Sequence, residues 1–491
     1  MVKHLVIFCP IVQWPVHFET DLEIAQQHLD MGWNVTFLHC CGALPSCAQN
    51  PHHRTTCCKR CVTKFKKGIR WLGNDRVTVR EFQCLTEEQQ KVVAALSASS
   101  FPTIDELKKF TVDGADIGLA VVGSIISFLR EPKPDLRQHQ TLFTAYLQAA
   151  VMAFLSIRNQ LSAIKPDAFV LFNGRFVELR AALYASKVLG IPTYVHERAG
   201  VLKRYSLLYN SSPHSIATIK TTIDAVYAES SLSEEEKKII AFEWYSERRS
   251  NKAQSWYSFT AKQREGLLPD FAQDRLNLVI FNSSEDENES FADWRNPFYT
   301  EQNEGIKRIV ADLSGDQRFK VFLRVHPNLR NVNNSQTKTI QQLEELFPSL
   351  TVIPADSPVS TYGILDTCDI VLVFGSTIGI EAVYSGKPSF LMGRAFYDEM
   401  GCCVTPTSHE DLMKLLLLFA EDERNMLPPK DVAMLAVVKY GFFQKSWGKD
   451  YKYVRPCHVG KSVMIRNGKE TLLRPSLVSW LIDNIVTFIK R

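Results

Sequence analysis

The sequence predicts an α/β protein made of two doubly wound, Rossmann-like domains that face a cleft. Three observations carry that expectation. Short apolar, β-branched runs alternate with amphipathic helical stretches in both halves of the chain. Nearly every apolar run ends in a loop rich in Gly, Ser, Asn or His, as strands of a parallel sheet do at their carboxyl ends. At 491 residues the chain is too long for one hydrophobic core.

In the first half a strand is expected over 5–9, a helix over 19–32 ("ETDLEIAQQHLDMG") and a strand over 34–39. A mainly helical stretch covers 87–164. The phrase then repeats, with strand 168–172, helix 177–189 and strand 192–196. The turn-forming "REGLLPDFAQ" reads as a linker. After it come strand 276–282, helix 304–313, strand 320–326, helix 339–346, strand 351–354, helix 359–365, strand 369–374, a helix, and strand 389–393. The expected domains are 1–268, carrying a Cys-rich and a helical insertion, and 269–440. A tail, 441–491, ends in an amphipathic helix ("PSLVSWLIDNIVTFIKR") that is expected to pack back on the seam.

Composition is that of a soluble globular chain, with 45% hydrophobic and 22% charged residues. A net charge of +4 argues against bulk nucleic-acid binding. No unbroken apolar run reaches the ~18 residues of a membrane span, and "IGLAVVGSIISFL" at 117–129 is too short. The N-terminus has no small-residue cleavage site and reads as a first strand. A cytoplasmic location is the expectation, with the inner face of the cytoplasmic membrane as the alternative.

The stretch "FGSTIGIEAVYSGKP" at 374–388 sets a small-residue turn between a buried strand and a helix. Gly375 and Gly379 let backbone approach a ligand, Ser376 or Thr377 caps the helix, and the helix start favours a phosphate. Glu381 lies one turn in, too far for a capping box, and within reach of a sugar hydroxyl. An ordinary turn with a solvated Glu is the alternative, and Glu381→Ala is expected to leave fold stability nearly unchanged. In "RVHPN", Arg324 and His326 leave the strand on one face, suited to a diphosphate, or else are a surface Arg and a structural His. Ser283, Ser284 and Asn328 complete the expected donor set, and His326 is also a candidate for meeting leaving-group charge. The strand ends of the first half deliver His17, Glu19, Asn173, Arg175, Glu178, Glu197 and Arg198, the expected acceptor side.

With these residues placed, the second half resembles nucleotide-sugar-dependent glycosyltransferases of the two-domain GT-B fold, above all the capsule and surface polysaccharide biosynthesis group. The shared phrases are "RVHPN" and "PVSTYGILDTCDIVLVFGSTIGIEAVYSGKP", with "FNSSEDE" as a weaker echo. The resemblance implies a nucleotide-sugar donor on the second domain, with His326 near the diphosphate, Ser376 and Thr377 at phosphate and Glu381 near ribose. The partner is then a glycan or glycolipid acceptor. An inverting transfer needs a base from the first domain. Glu19 is favoured and His17 is next, although Glu19 equally suits a helix N-terminus. No acidic DxD run stands near a strand end, so a metal-independent reaction is expected. Nucleotide-sugar 2-epimerases and glycerophosphotransferases share these features, and a non-catalytic nucleotide-binding scaffold is the reading from another class.

Seven of the twelve cysteines fall in the first 61 residues. Cys58 and Cys61 have CxxC spacing, and Cys41, Cys47, His52 and His53 can complete a tetrahedral site. A structural zinc is expected ahead of reduced thiols or an iron–sulfur cluster. The adjoining basic run, Lys59, Arg60, Lys64, Lys66, Lys67 and Arg70, is a solvated helix face or a peripheral contact with anionic lipid.

Overall fold

A computed structural model describes residues 2–473 apart from 253, 256–257, 259 and 288. The expected helix over 475–491 lies outside the described residues. The chain divides into two compact units, one of residues 1–129, 134–214 and 448–491, the other of residues 130–133 and 215–447.

In the first unit β1 (His4–Phe8), β2 (Asn34–His39), β3 (Val77–Glu81), β4 (Ala168–Phe172), β5 (Thr193–Arg198) and β6 (Arg204–Tyr209) run in the order β6-β5-β4-β1-β2-β3. All neighbours are parallel except β5 and β6. Val6 sits opposite both Thr36 and Phe169, so β1 is central. Alternation along the strands sorts the core into two layers. Val6, Phe8, Phe169 and Leu171 face helices Ile117–Leu129, Gln140–Ile164 and Val177–Val188. Leu5, Ile7, Ala168 and Val170 face helices His17–Asp30 and Thr55–Leu72. Each of the larger side chains, wholly buried, is worth about 1.5–3 kcal/mol. Helix Gln140–Ile164 is long and apolar enough to cross a membrane, yet 67% of its most apolar window is buried within this unit.

In the second unit β7 (Leu276–Phe281), β8 (Phe319–Arg324), β9 (Thr351–Ile353), β10 (Ile370–Val373) and β11 (Ser389–Leu391) form a wholly parallel sheet, ordered β11-β10-β7-β8-β9. Leu278, Ile280, Leu323, Ile370 and Leu372 pack under helices Gln302–Leu313, Ser335–Leu346 and His409–Ala420. Both units are Rossmann-like, as the strand and helix grammar predicts.

The boundary falls at His214/Ser215 and not at 268/269. Helices Ile216–Glu229 and Glu234–Arg249 pack on Lys430–Ser446 through Tyr227, Ala241, Val438 and Phe442. The Tyr245 hydroxyl donates to the Val437 carbonyl at 2.9 Å. The polar composition of helix Glu234–Arg249, with its Ser233/Glu236 capping box, carries no sign of which unit it joins.

The described part of the tail belongs to the first unit. β12 (Lys449–Asp450) pairs antiparallel with β6, while β13 (Val454–His458), β14 (Lys461–Arg466) and β15 (Lys469–Thr471) form a small antiparallel sheet. Buried Glu23 accepts from the Lys452 and Tyr453 amides at 2.9 and 2.6 Å. Arg466 donates to the carbonyls of Trp71 and Leu72, at the end of helix Thr55–Leu72, at 2.8 Å each. That cation completes acceptors the helix itself leaves open.

Candidate functional site

At the carboxyl edge of the second sheet three strand ends converge. After β7, Ser283 donates through Oγ to the Phe374 carbonyl at 2.5 Å, and Asn282 Oδ1 accepts the His326 amide at 2.7 Å. After β8, His326 Nδ1 accepts from the Asn328 amide at 3.2 Å. An accepting Nδ1 leaves the neutral ring's proton on Nε2. Burial, with Arg324 and Arg130 nearby, pushes the imidazole down to about 4, so it is neutral at physiological pH. After β10 the Gly375–Thr377 turn stands half-exposed, with Ser376 Oγ accepting from the Ile378 amide at 3.3 Å.

Gly375 of this turn and Gly379 of the helix Ile378–Tyr384 that follows both pack closely against protein. Gly375 has φ +93° and a Cβ there would lie 2.5 Å from the Arg394 carbonyl oxygen. A Cβ on Gly379 would lie 2.3 Å from the Tyr397 hydroxyl, which itself bonds the Ser376 carbonyl.

Glu381 is 2% exposed and is not a solvated carboxylate. Its Oε1 meets Arg248 Nε at 3.0 Å and Nη2 at 2.8 Å, and its Oε2 accepts from the Tyr362 hydroxyl at 2.8 Å. Arg248 Nη2 also donates to Thr377 Oγ1 at 3.2 Å, and the guanidinium lies 4.9 Å from the Trp244 ring. Arg324 likewise turns inward. It is 2% exposed and donates to the carbonyls of Pro354 and Ser357, while burial brings it down to about 10. Strand alternation puts Arg324 and His326 on one face, but the buried loop acceptors claim the guanidinium.

Ser284 and Asn328 join a network that the sequence reading did not anticipate. Arg130, at φ +54°, pairs with buried Asp286 and donates through Nη2 to Ser284 Oγ and to the Asn328 carbonyl, at 3.3 Å each. Asn328 Nδ2 bonds Glu287, and Ser284 Oγ bonds Asp286. Beside them Glu285 accepts the Gln302 amide at 2.9 Å, and burial raises its carboxyl to about 7. Arg130 follows an apolar helix with nothing in its neighbourhood to mark it. Arg248 lies in "YSERRS", which reads as a solvated helix end.

At the carboxyl edge of the first sheet, Glu197 holds the centre. Its Oε2 accepts from Asn173 Nδ2 at 2.6 Å, its Oε1 from the Arg198 amide at 2.9 Å, and His17 Nδ1 stands 3.8 Å from Oε1. Burial raises the Glu197 carboxyl and drives His17 well below the usual histidine range. The His17 ring lies 3.7 Å from that of Phe172. Val16, the residue before the helix, has φ +73°, a conformation a β-branched residue adopts only under constraint. Arg198 donates to the Pro15 and Val459 carbonyls at 3.1 and 2.9 Å, which ties down that turn. Arg175 donates to Ser127 Oγ at 2.9 Å.

Two expected acceptor-side carboxylates are elsewhere. Glu19 is 4% exposed and paired with buried Lys64 at 2.8 Å, so a residue of the basic run is internal and the favoured base is neutralised. Glu178 is wholly buried under the Cys-rich loop, with both oxygens 3.3 Å from the Ala48 amide, and burial raises its carboxyl to about 7. Beneath the edge, His196 Nε2 lies 2.8 Å from Asp21 Oδ1, both buried, a pair with no local sequence sign.

Cys40 lies near Cys47, Cys58 and Cys61, yet these thiols make no metal site. Among the described residues no group of three or more His, Cys, Asp or Glu side chains could hold a metal ion. Cys58 Sγ accepts from Asn50 Nδ2 at 3.3 Å, Cys61 Sγ points to the Pro10 carbonyl at 3.8 Å, Cys47 is half-buried near Glu178, and Cys41 is exposed. His53 Nε2 contacts the Gly42 carbonyl at 2.9 Å, and His52 packs on Phe128. The expected zinc site at Cys41, Cys47, Cys58 and Cys61 is therefore corrected. Helical spacing brings two thiols to one side of Thr55–Leu72, but each meets a protein partner.

The second unit's site falls largely inside one family match. Residues 297–414 match the family model described as capsule polysaccharide biosynthesis protein. That match takes in His326, the Gly375–Thr377 turn and Glu381, and bears out the resemblance drawn from "RVHPN" and the Ser/Glu helix. No curated protein matches the chain. Among solved structures, the beta Kdo 2,4 transferase KpsC of Thermosulfurimonas dismutans is 13% identical, with 65% of this chain and 87% of that chain covered and a TM-score of 0.34. The UDP complex of S. aureus MnaA is 8% identical, with 90% and 94% covered and a TM-score of 0.29. The UDP-GlcNAc 2-epimerase of Neisseria meningitidis, bound to UDP-GlcNAc, is 12% identical, with 89% and 98% covered and a TM-score of 0.29.

Proposed function

We propose that the chain is a glycosyltransferase that moves a sugar from a nucleotide-sugar donor to a capsule or surface polysaccharide precursor. One observation carries this: Ser283, His326 and the Gly375–Thr377 turn meet at one sheet edge, mostly within the segment that matches the capsule family. Ligands of open parallel sheets bind at such edges. His326, neutral and oriented by the Asn328 amide, presents an Nε2–H donor whose hydrogen bond strengthens as charge grows on the departing phosphate. On the first unit, Glu197 takes the acceptor's proton. Its raised carboxyl, oriented by Asn173 and flanked by His17, suits a base working near neutrality, whereas Glu19 is committed to Lys64. The displacement is inverting on this account.

A thermal-shift panel of nucleotides and nucleotide sugars tests donor binding, since a ligand at a hundred times its Kd adds about 2.7 kcal/mol. The donor that shifts melting is then incubated with and without glycan acceptors. Nucleotide release that depends on acceptor supports the transferase. Conversion of the donor alone to its 2-epimer, or binding without turnover in any mixture, overturns it.

A further inference from the structure

We infer that Arg248 is a phosphate-binding cation of the second unit and that Glu381 is its positioning residue. This rests on the nucleotide-binding reading above and changes which group meets the ligand. Glu381 is 2% exposed with both oxygens engaged, while the Arg248 side chain is 31% exposed. The carboxylate stands behind and the guanidinium in front. Arg248 is fixed by Glu381 through Nε and Nη2, by the Trp244 ring on its face, and by Thr377 Oγ1 in the small-residue turn itself. Tyr362 fixes Glu381 in its turn at 2.8 Å. A guanidinium held in this way loses little freedom when it meets a phosphate oxygen.

Four other cations near this edge are committed elsewhere, and Arg330, whose buried Nε finds no partner among the described residues, is the exception. Arg324 serves carbonyls in the interior, Arg394 pairs with Asp398, Arg130 pairs with Asp286, and Lys387 donates to the Cys368 carbonyl at 2.9 Å. His326 is neutral. Arg248 is the cation here that bonds a side chain of the Gly375–Thr377 turn. Sugar hydroxyls are then left to other groups, and the ligand chemistry at Arg248 is the phosphate of a nucleoside mono- or diphosphate.

The test compares a nucleotide with its own nucleoside and with inorganic phosphate. UDP, CMP, GDP and ADP are titrated into the full-length chain by calorimetry, and the nucleoside of the tightest binder is read by competition. Arg248→Lys, Glu381→Gln and the matched pair Arg248→Met/Glu381→Met are then compared with wild type. The expected result is a loss of about tenfold or more in nucleotide affinity for both Arg248 variants, with nucleoside affinity unchanged within about twofold. Glu381→Gln loses less, and again only in the phosphate-dependent part. The lysine variant keeps a cation against Glu381 and decides the matter should the double variant not fold. Equal losses for nucleoside and nucleotide, or none, overturn the inference alone, and tight binding of free phosphate without nucleotide preference overturns it too. Wild type that binds no nucleotide overturns the donor reading beneath it.

Discussion

Glu381→Gln is expected to destabilise the second unit by about 2–4 kcal/mol. The substitution keeps volume and shape and removes only the charge. Removing one partner of a buried ion pair costs about 3–5 kcal/mol, mostly because the other charge is left without compensation. Arg248 is 31% exposed, so water recovers part of that cost and the expected loss falls to about 2–4 kcal/mol. For a unit of this size about 1 kcal/mol moves Tm by about 2–4 °C, which gives a fall of roughly 5–15 °C. Differential scanning calorimetry and urea titration measure it, and the urea m-value stays unchanged when only the native state is affected.

Two controls sharpen the result. Arg248→Met/Glu381→Met removes both charges together and is expected to recover most of the loss, because replacing a whole buried pair by apolar groups is often neutral. Arg249→Ala removes an exposed bridge to Asp366, at 27% and 54% side-chain exposure, and is expected to cost under about 1 kcal/mol. A Glu381→Gln variant within 0.5 kcal/mol of wild type, a bound taken from ordinary surface substitutions, would refute the buried pair and restore the solvated Glu of the sequence reading.

Glu178→Gln is expected to stabilise the first unit at pH 8 by up to about 3 kcal/mol and hardly at all at pH 4. The folded carboxyl holds its proton up to about 7 against about 4.3 unfolded, so native stability falls as pH rises through that window; pH-dependent melting checks it. Gly379→Ala is expected to lower stability by about 1–3 kcal/mol, since its Cβ would meet Tyr397 and Val373, and Gly379→Ala/Tyr397→Phe is expected to recover part of the loss in chemical denaturation. Glu197→Gln is expected to lower kcat about a hundredfold or more with little change in Tm. In wild type kcat/KM is expected to rise with pH through the raised pKa of Glu197 and level off above it, and a flat profile removes Glu197 as the base.

Most of the parallel strands were legible because they are short apolar runs closed by polar loops, as in "AFVLF", where every residue is buried, whereas β3, with four of its five residues exposed, was not anticipated. The grammar of the second sheet followed in the same way. What stayed hidden was non-local. β6 runs antiparallel to β5 because a short turn returns the chain, and β12 to β15 are short polar strands whose partners are chosen by Glu23 and Arg466 from far along the sequence. Helix Glu234–Arg249 presents no local sign that Lys430–Ser446 is its neighbour.

The site was half legible for the same reason. Sheet topology places Ser283, His326 and Gly375 at one edge whatever their partners are, so strand ends were enough to find them. The role of each charged residue depends on which opposite charge the fold brings within ~4 Å, and sequence distance says nothing of that. Glu19 meets Lys64, Glu381 meets Arg248, and Arg324 meets only carbonyls. In each case the residue picked for ligand contact is the one the interior already occupies. Glu197 and His17 differ, because they stand 3.8 Å apart and burial shifts the carboxyl and the imidazole each towards the uncharged form. A buried carboxyl and imidazole shifted in this way suit proton transfer, and that is the physical ground on which Glu197 is proposed as the base.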